Sequence, residues 1–155
     1  MGAQDLETRI KVLEDIEAIK KLKAKYCYAV DSQEVTGLMA LFTEDASVDY
    51  GPWGNYDNKE KMTEFFKNIP AEMPMVMHMV HSPIIELNGD TATGFWYFEV
   101  PVILAKGNKA AWVTGAYEEI YAKEGTEWKI KKMVCKFNYF TPYDEGWAKT
   151  RMYTP

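Results

Sequence analysis

Three short turn motifs constrain this 155-residue chain more than any other feature. Asn88-Gly89-Asp90, Lys106-Gly107-Asn108 and Glu124-Gly125-Thr126 divide its second half into four long runs, 75–87, 91–104, 109–121 and 128–140. Each turn carries a glycine, the residue that reaches the positive φ a tight hairpin needs. The runs are rich in Val, Ile, Thr, Tyr, Phe and Trp, which suit a pleated, half-buried surface. Strands joined by so few residues pair antiparallel, because a parallel pair needs a long crossover. The second half therefore reads as an antiparallel meander, with Pro101 marking an edge or a bulge.

The first half has a different period. Leu6, Ile10, Leu13, Ile16, Ile19, Leu22 and Tyr26 recur every three or four residues and predict a helix over 5–30. Lys11, Glu14, Glu17, Lys21 and Lys25 fall on its other face. The lysine run Lys20, Lys21, Lys23 and Lys25 reads as a solvated face near a helix C-terminus. Asp31 or Ser32 is placed to cap a second helix over 35–42. Ala46–Tyr50 reads as a short strand and Gly51–Asn55 as a loop. Asn58 is the expected N-cap of a third helix over 59–68, ended by Pro70 and Pro74. Helices followed by a run of strands mean an α+β fold: three N-terminal helices on the concave face of a strongly curved antiparallel or mixed sheet that encloses a pocket, in one domain over 1–155.

Composition bears on what such a fold holds. Aromatic residues make up 14% of the chain, joined by nine methionines. That content suits a ring-rich core or a cavity lined with rings. A net charge of −5 argues against a nucleic-acid partner, since phosphate binding wants surplus Lys and Arg. No apolar run approaches the ~20 residues of a membrane span, and the polar N-terminus lacks a secretory pattern, so a cytoplasmic protein is expected. Cys27 and Cys135 lie inside apolar runs and read as buried free thiols. Gly-rich phosphate loops, GxSxG, HExxH and CxxC are absent from the sequence.

Few residues are left to carry chemistry. His78 and His81 are the two histidines. On a strand their odd spacing sends them to opposite faces, one toward a cavity and the other toward solvent or a subunit contact. That spacing disfavours a metal pair, so no metal is expected. Asp31 reads either as the cap of the next helix or as the partner of a histidine. An ionised Asp beside imidazole fixes one tautomer and makes the other nitrogen a better base. Tyr26, Tyr28 and Tyr50 offer hydroxyls that can polarise a carbonyl. Tyr28 shares a helix face with Asp31, whereas Tyr26 lies five residues away and meets Asp31 only if a cavity wraps the helix end.

Ile16 to Tyr26 with Ala29-Val30-Asp31, Leu41-Phe42-Thr43-Glu44-Asp45-Ala46, Met77-His78-Met79-Val80-His81-Ser82-Pro83, Asp90 to Tyr97 and Glu127-Trp128-Lys129-Ile130 together cover most of the chain. In these segments it resembles the SnoaL-like family of the nuclear-transport-factor-like cone superfamily. The Lys-Tyr pair followed by Asp31, and the Met-His-Met-Val-His-Ser-Pro segment, are similar to those of bile acid 7-alpha-dehydratases. Asp31-Ser32 with Val48-Asp49-Tyr50 is similar to scytalone dehydratase, and hexachlorocyclohexane dehydrochlorinase uses the same Asp and His pair. The resemblance implies a deep pocket with Asp31 and His78 as a dyad, His78 as the base, and Tyr26 and Tyr50 binding a carbonyl or a departing hydroxyl. It favours His78 over His81. It implies a cofactor-free lyase of the dehydratase type, acting on a ring-containing apolar molecule in a homodimer or homotrimer. An isomerase or cyclase using the same base, and a non-catalytic binder, stay open. Candidate substrate-binding residues are His81, Trp53, Trp96, Trp112, Lys136, Phe137 and Tyr139. Relatives carry an Arg on the last strand; the stretch Met133–Tyr139 has none, and Lys136 fills the position only with a one-residue shift.

Overall fold

The computed structural model describes residues 3–153, so the ends of the expected 1–155 unit lie outside the described residues. Helix α1 spans Ala3–Asp31. It stops where Gln33 turns to a φ of 59° and the Glu34 N–H bonds back to the Ala29 carbonyl, a left-handed helix end that satisfies freed carbonyls. Its apolar row is buried only from Ile19 onward; Leu6, Ile10 and Leu13 are 55%, 46% and 65% exposed. The lysine run is not all solvated, as the sequence suggested. Lys23 is fully buried and reaches Glu119 across the core at 2.5 Å.

The second helix, α2, is Val35–Ala40, shorter than the predicted 35–42 because Phe42 already opens strand β1, Phe42–Asp49. Neither Asp31 nor Ser32 caps α2. Glu34 does, its carboxylate accepting from the Gly37 N–H at 2.7 Å. A 3-10 turn, Gly51–Trp53, leads to the short strand β2, Asn55–Tyr56. Asn58 caps α3 as predicted, accepting from the Lys61 N–H at 3.0 Å. That helix runs over Lys59–Glu72, past Pro70. The proline falls in the last turn, where its missing N–H costs a single bond, and the Met73 N–H still closes the helix on Ile69.

The remaining strands are β3 (Met75–Val76), β4 (Met79–Asn88), β5 (Thr91–Leu104), β6 (Lys109–Glu124) and β7 (Glu127–Pro142). Together the seven form one sheet in the order β2-β1-β7-β6-β5-β3, with β4 also on β5. The hairpins from β4 to β7 are antiparallel as predicted, and β1 pairs with β7 parallel, so of the two expected forms the sheet takes the mixed one. The helical first half supplies the long crossover that the parallel pair needs.

Bulges bend the sheet. One lies between Thr114 and Gly115, opposite Asn138. A Cβ on Gly115 would stand 2.1 Å from the Lys136 carbonyl oxygen, so glycine is required for this close approach. The molecule is thus an α+β cone, three helices packed on the concave face of a strongly curved mixed sheet. Cys27 and Cys135 are buried and free. Among the described residues no helix is long and apolar enough to cross a membrane. After β7 the chain folds back along that strand: the Phe140 N–H bonds to Arg151 and the Tyr153 N–H to Phe140.

Candidate active site

Pro101 prepares the site from a distance. It sits in β5, which is not an edge strand but lies between β6 and the β3/β4 segments. The Met77 N–H bonds to the Pro101 carbonyl, but proline has no N–H to return the bond. The ladder opens here, and residues 77 and 78 belong to neither β3 nor β4. In this gap the backbone N–H of His78 bonds to the Asp31 carboxylate, at 2.9 Å to Oδ2 and 3.1 Å to Oδ1. The His78 Nδ1 lies 2.6 Å from Asp31 Oδ1. A carboxylate only accepts, so Nδ1 carries the hydrogen of this contact, and in the neutral imidazole Nε2 holds the lone pair. The His78 ring is one wall of a cavity between the helices and the sheet.

Tyr26 and Tyr50 form a second wall. Their hydroxyls are 2.9 Å apart, and among the described residues the other acceptor for the Tyr50 hydroxyl is the Met133 sulfur at 3.8 Å, a weak one. The Tyr26 ring meets the His78 ring edge-on with centroids 6.3 Å apart. Burial pushes both phenols well above their ordinary pKa, so both stay protonated donors. The cavity therefore wraps the C-terminal end of α1, which is how Tyr26 and Asp31 serve one site. Tyr28 points to solvent.

The rest of the wall is apolar or aromatic. Trp53 and Phe137 meet edge-to-face at 4.5 Å, beside Phe65 and Phe98. Tyr117 and Cys135 complete it, the thiol pushed up by burial. The open volume is about 90 Å³, and among the described residues no Lys, Arg, Asp or Glu lines it.

Of the eleven candidate residues, the structure gathers Asp31, His78, Tyr26, Tyr50, Trp53 and Phe137 here. The others lie elsewhere. His81 is on the outer face of β4, 3.5 Å from Glu99. Lys136 is exposed and pairs with Glu118 at 2.5 Å, away from the cavity. Trp96 is sealed in the core, donating to the Tyr121 hydroxyl at 2.9 Å. Trp112 alternates with the cavity residue Val113 and so faces outward, stacked on Tyr143. Tyr139 would share the Phe137 face by simple alternation. The bulge at Asn138 flips it outward onto Trp147, and Phe140 turns in instead.

Sequence reasoning missed Phe98, Val100 and Val102, which line the cavity at alternate positions of β5; their period of two was the signal that could have found them. It also missed Lys23 and Glu119. Among the described residues no three His, Cys, Asp or Glu side chains are grouped to hold a metal ion.

Comparison with known proteins fits this architecture. An uncharacterized protein of Mycobacterium tuberculosis is 25% identical over 118 residues, 75% of this chain and 80% of its own. Hexachlorocyclohexane dehydrochlorinase LinA-type3 from Novosphingobium barchaimii superposes with a TM-score of 0.82 at 21% identity, covering 95% of this chain and 99% of that one. A candidate scytalone dehydratase from Novosphingobium aromaticivorans gives 0.79 at 21% identity, over 84% and 89%. At such identities the two structures are alike in fold. The family described as the SnoaL-like domain matches residues 11–134, from the exposed turns of α1 to the middle of β7. With most of its length inside that match, the chain belongs to the SnoaL-like domain family.

Proposed function

We propose that this protein is a cofactor-free lyase that removes water from a small, ring-containing, largely apolar molecule. One observation carries the reading: the Asp31-held His78 and the Tyr26–Tyr50 hydroxyl pair face the same apolar cavity. His78 Nε2 takes a proton from the carbon beside a carbonyl, and Asp31 stabilises the imidazolium that forms. Electrons from the broken C–H bond make the new carbon–carbon double bond as the neighbouring C–O bond breaks. The departing hydroxide takes a proton from the tyrosine pair and leaves as water. The His78 proton then returns to the tyrosine pair through that water, restoring both groups. Apolar walls keep bulk solvent away and strengthen each of these contacts.

The test is turnover of a panel of cyclic β-hydroxyketones, followed by mass. A product lighter by one water is expected. His78→Ala and Asp31→Asn should each lower the rate by roughly 10²–10⁴-fold. Wild-type rates in both variants would remove the dyad from the mechanism. A product of unchanged mass would move the reading to isomerisation by the same base, and tight binding without turnover would make the protein a binder. A homodimer or homotrimer belongs to this proposal, supported by Ile84, Tyr97 and Ile120 exposed on the outer sheet face.

A further inference from the structure

Among the described residues, each group near the cavity that carries, or can carry, positive charge already has a carboxylate of its own. His78 has Asp31, which takes both its ring N–H and its backbone N–H. The second such group is Lys23. Its ammonium lies behind the cavity wall, 3.4 Å from the Tyr117 ring centroid and 4.3 Å from that of Tyr26. It is bonded to Glu119 at 2.5 Å, and neither side chain has any exposed surface. Glu119 is satisfied in turn by the Tyr121 hydroxyl, which accepts from Trp96. Both charges are felt at the cavity residue Cys135. Burial dominates its raised pKa, while Lys23 pulls the thiol down and Glu119 pushes it up. The other lysine considered for the site, Lys136, faces outward.

An anion entering this cavity would lose its water and find no free counter-charge. The walls offer a polar anchor for a ligand oxygen in the Tyr26–Tyr50 hydroxyl pair. An open volume of about 90 Å³ is small for a ligand cavity and limits the ligand to a single ring at most.

We propose that the cavity selects uncharged one-ring carbonyl compounds, and that Glu119 sets this selectivity from behind the wall by neutralising Lys23. The proposal rests on the reading of the cavity as a small-molecule site and names the ligand class it takes. Glu119 touches no ligand; it acts through Lys23 and the two tyrosine rings. Without its carboxylate, the buried Lys23 keeps its proton only when a ligand supplies the counter-charge, so a carboxylate or phenolate in the cavity would gain an attraction that the native pair withholds.

Calorimetric titration with 4-acetylbenzamide and 4-acetylbenzoate tests it, since the two have nearly the same shape and only one is charged. Wild type should bind the amide on the order of 100-fold more tightly. Glu119→Gln should narrow that ratio roughly tenfold by improving the benzoate. Glu119→Asp, which keeps the charge, and Lys23→Met combined with Glu119→Gln, which removes both charges, should restore the wild-type ratio. A general loosening of the core would shift both ligands together and leave the ratio unchanged. Equal binding of the two ligands by wild type overturns the selectivity, and no binding of the amide overturns the one-ring class. An unchanged ratio in Glu119→Gln, or a narrowed one that persists in the double variant, overturns the role of Glu119. The wild-type comparison decides the selectivity even if Glu119→Gln does not fold. A protein that discriminates between the two ligands but dehydrates nothing keeps this inference and loses the lyase reading.

Discussion

The Asp31–His78 pair and the Lys23–Glu119 pair each set a carboxylate against a basic nitrogen, and both flank the same cavity. They differ in access. The side chains of His78 and Asp31 are 11% and 21% exposed, while those of Lys23 and Glu119 have no exposed surface. The first pair sits in a gap of the sheet, with the His78 ring on the cavity wall. The second has every charged group enclosed by carboxylate, hydroxyl and aromatic faces. In the reaction proposed above, the group that gains and loses a proton has to meet the substrate, whereas one that only shapes the field can stay sealed. The cost of a lost partner should differ accordingly, because a charge stranded at the cavity rim can be hydrated and one stranded in the core cannot.

Removing one partner from each pair is the sharpest way to break this comparison. Lys23→Met leaves Glu119 charged and dry, and should lower stability by about 3–5 kcal/mol in urea denaturation. Asp31→Asn keeps an acceptor for the His78 backbone N–H and should change stability by only about 1 kcal/mol, while removing the activity proposed above. Equal losses in the two variants would mean that access does not separate the pairs.

Alkaline pH sharpens the same contrast with a smaller effect per group. Burial raises the pKa of Tyr26, Tyr50, Tyr117 and Tyr121 well above the ordinary 10.0. Cys27 is pushed up to about 11 by burial, with Lys23 pulling it down and Asp31 and Glu119 raising it further. Above pH 9–10 the unfolded chain releases these protons and the folded chain keeps them. Stability is therefore complete below that range and should fall by roughly 1 kcal/mol per pH unit for each buried phenol that titrates. Chemical denaturation at stepped pH from 8 to about 11 reads the slope. Tyr50→Phe, which removes one phenol, should reduce it. An unchanged slope would place the alkaline loss elsewhere.

Asp15 gives the smallest expected effect. Burial works against its charge, but hydrogen bonds from Lys123 at 2.6 Å and Trp128 at 2.8 Å outweigh it and hold the carboxyl below its usual 3.8. Its contribution is present above that value and is lost as pH falls through the lower folded one. About 1 kcal/mol or less should disappear in acid titration of wild type. Asp15→Asn should start lower and lack that step; a step of the same size in the variant would assign it to another carboxylate.

Much of this fold was legible in the sequence because its signals are local. The run 91–104 is β5 to the residue, and the three predicted turns all lie at hairpin tips. Asn58 caps α3 because an Asn before a helical run satisfies a free N–H three residues on, whatever the rest of the chain does. The candidate site was half legible. Asp31, His78, Tyr26 and Tyr50 stood out by type, spacing and resemblance, and they converge. Among the ring and lysine candidates only Trp53 and Phe137 reach the cavity. A single bulged residue, Asn138, turned Tyr139 to the other face, and no local pattern announces such an insertion.

What the sequence determined by itself was period and punctuation: which stretches are helix or strand, where they turn, and which residues are capable of acid–base chemistry. Tertiary structure alone decided which of them meet. Asp31 and His78 are 47 residues apart, and Lys23 and Glu119 are 96 apart. A lysine in a charged helical run looks solvated until the sheet that buries it is in place. The parallel pairing of β1 with β7 likewise depends on where both ends of the chain return. Local signals arise from interactions within a few residues, whereas the burial of a charge depends on surfaces brought together by the whole fold.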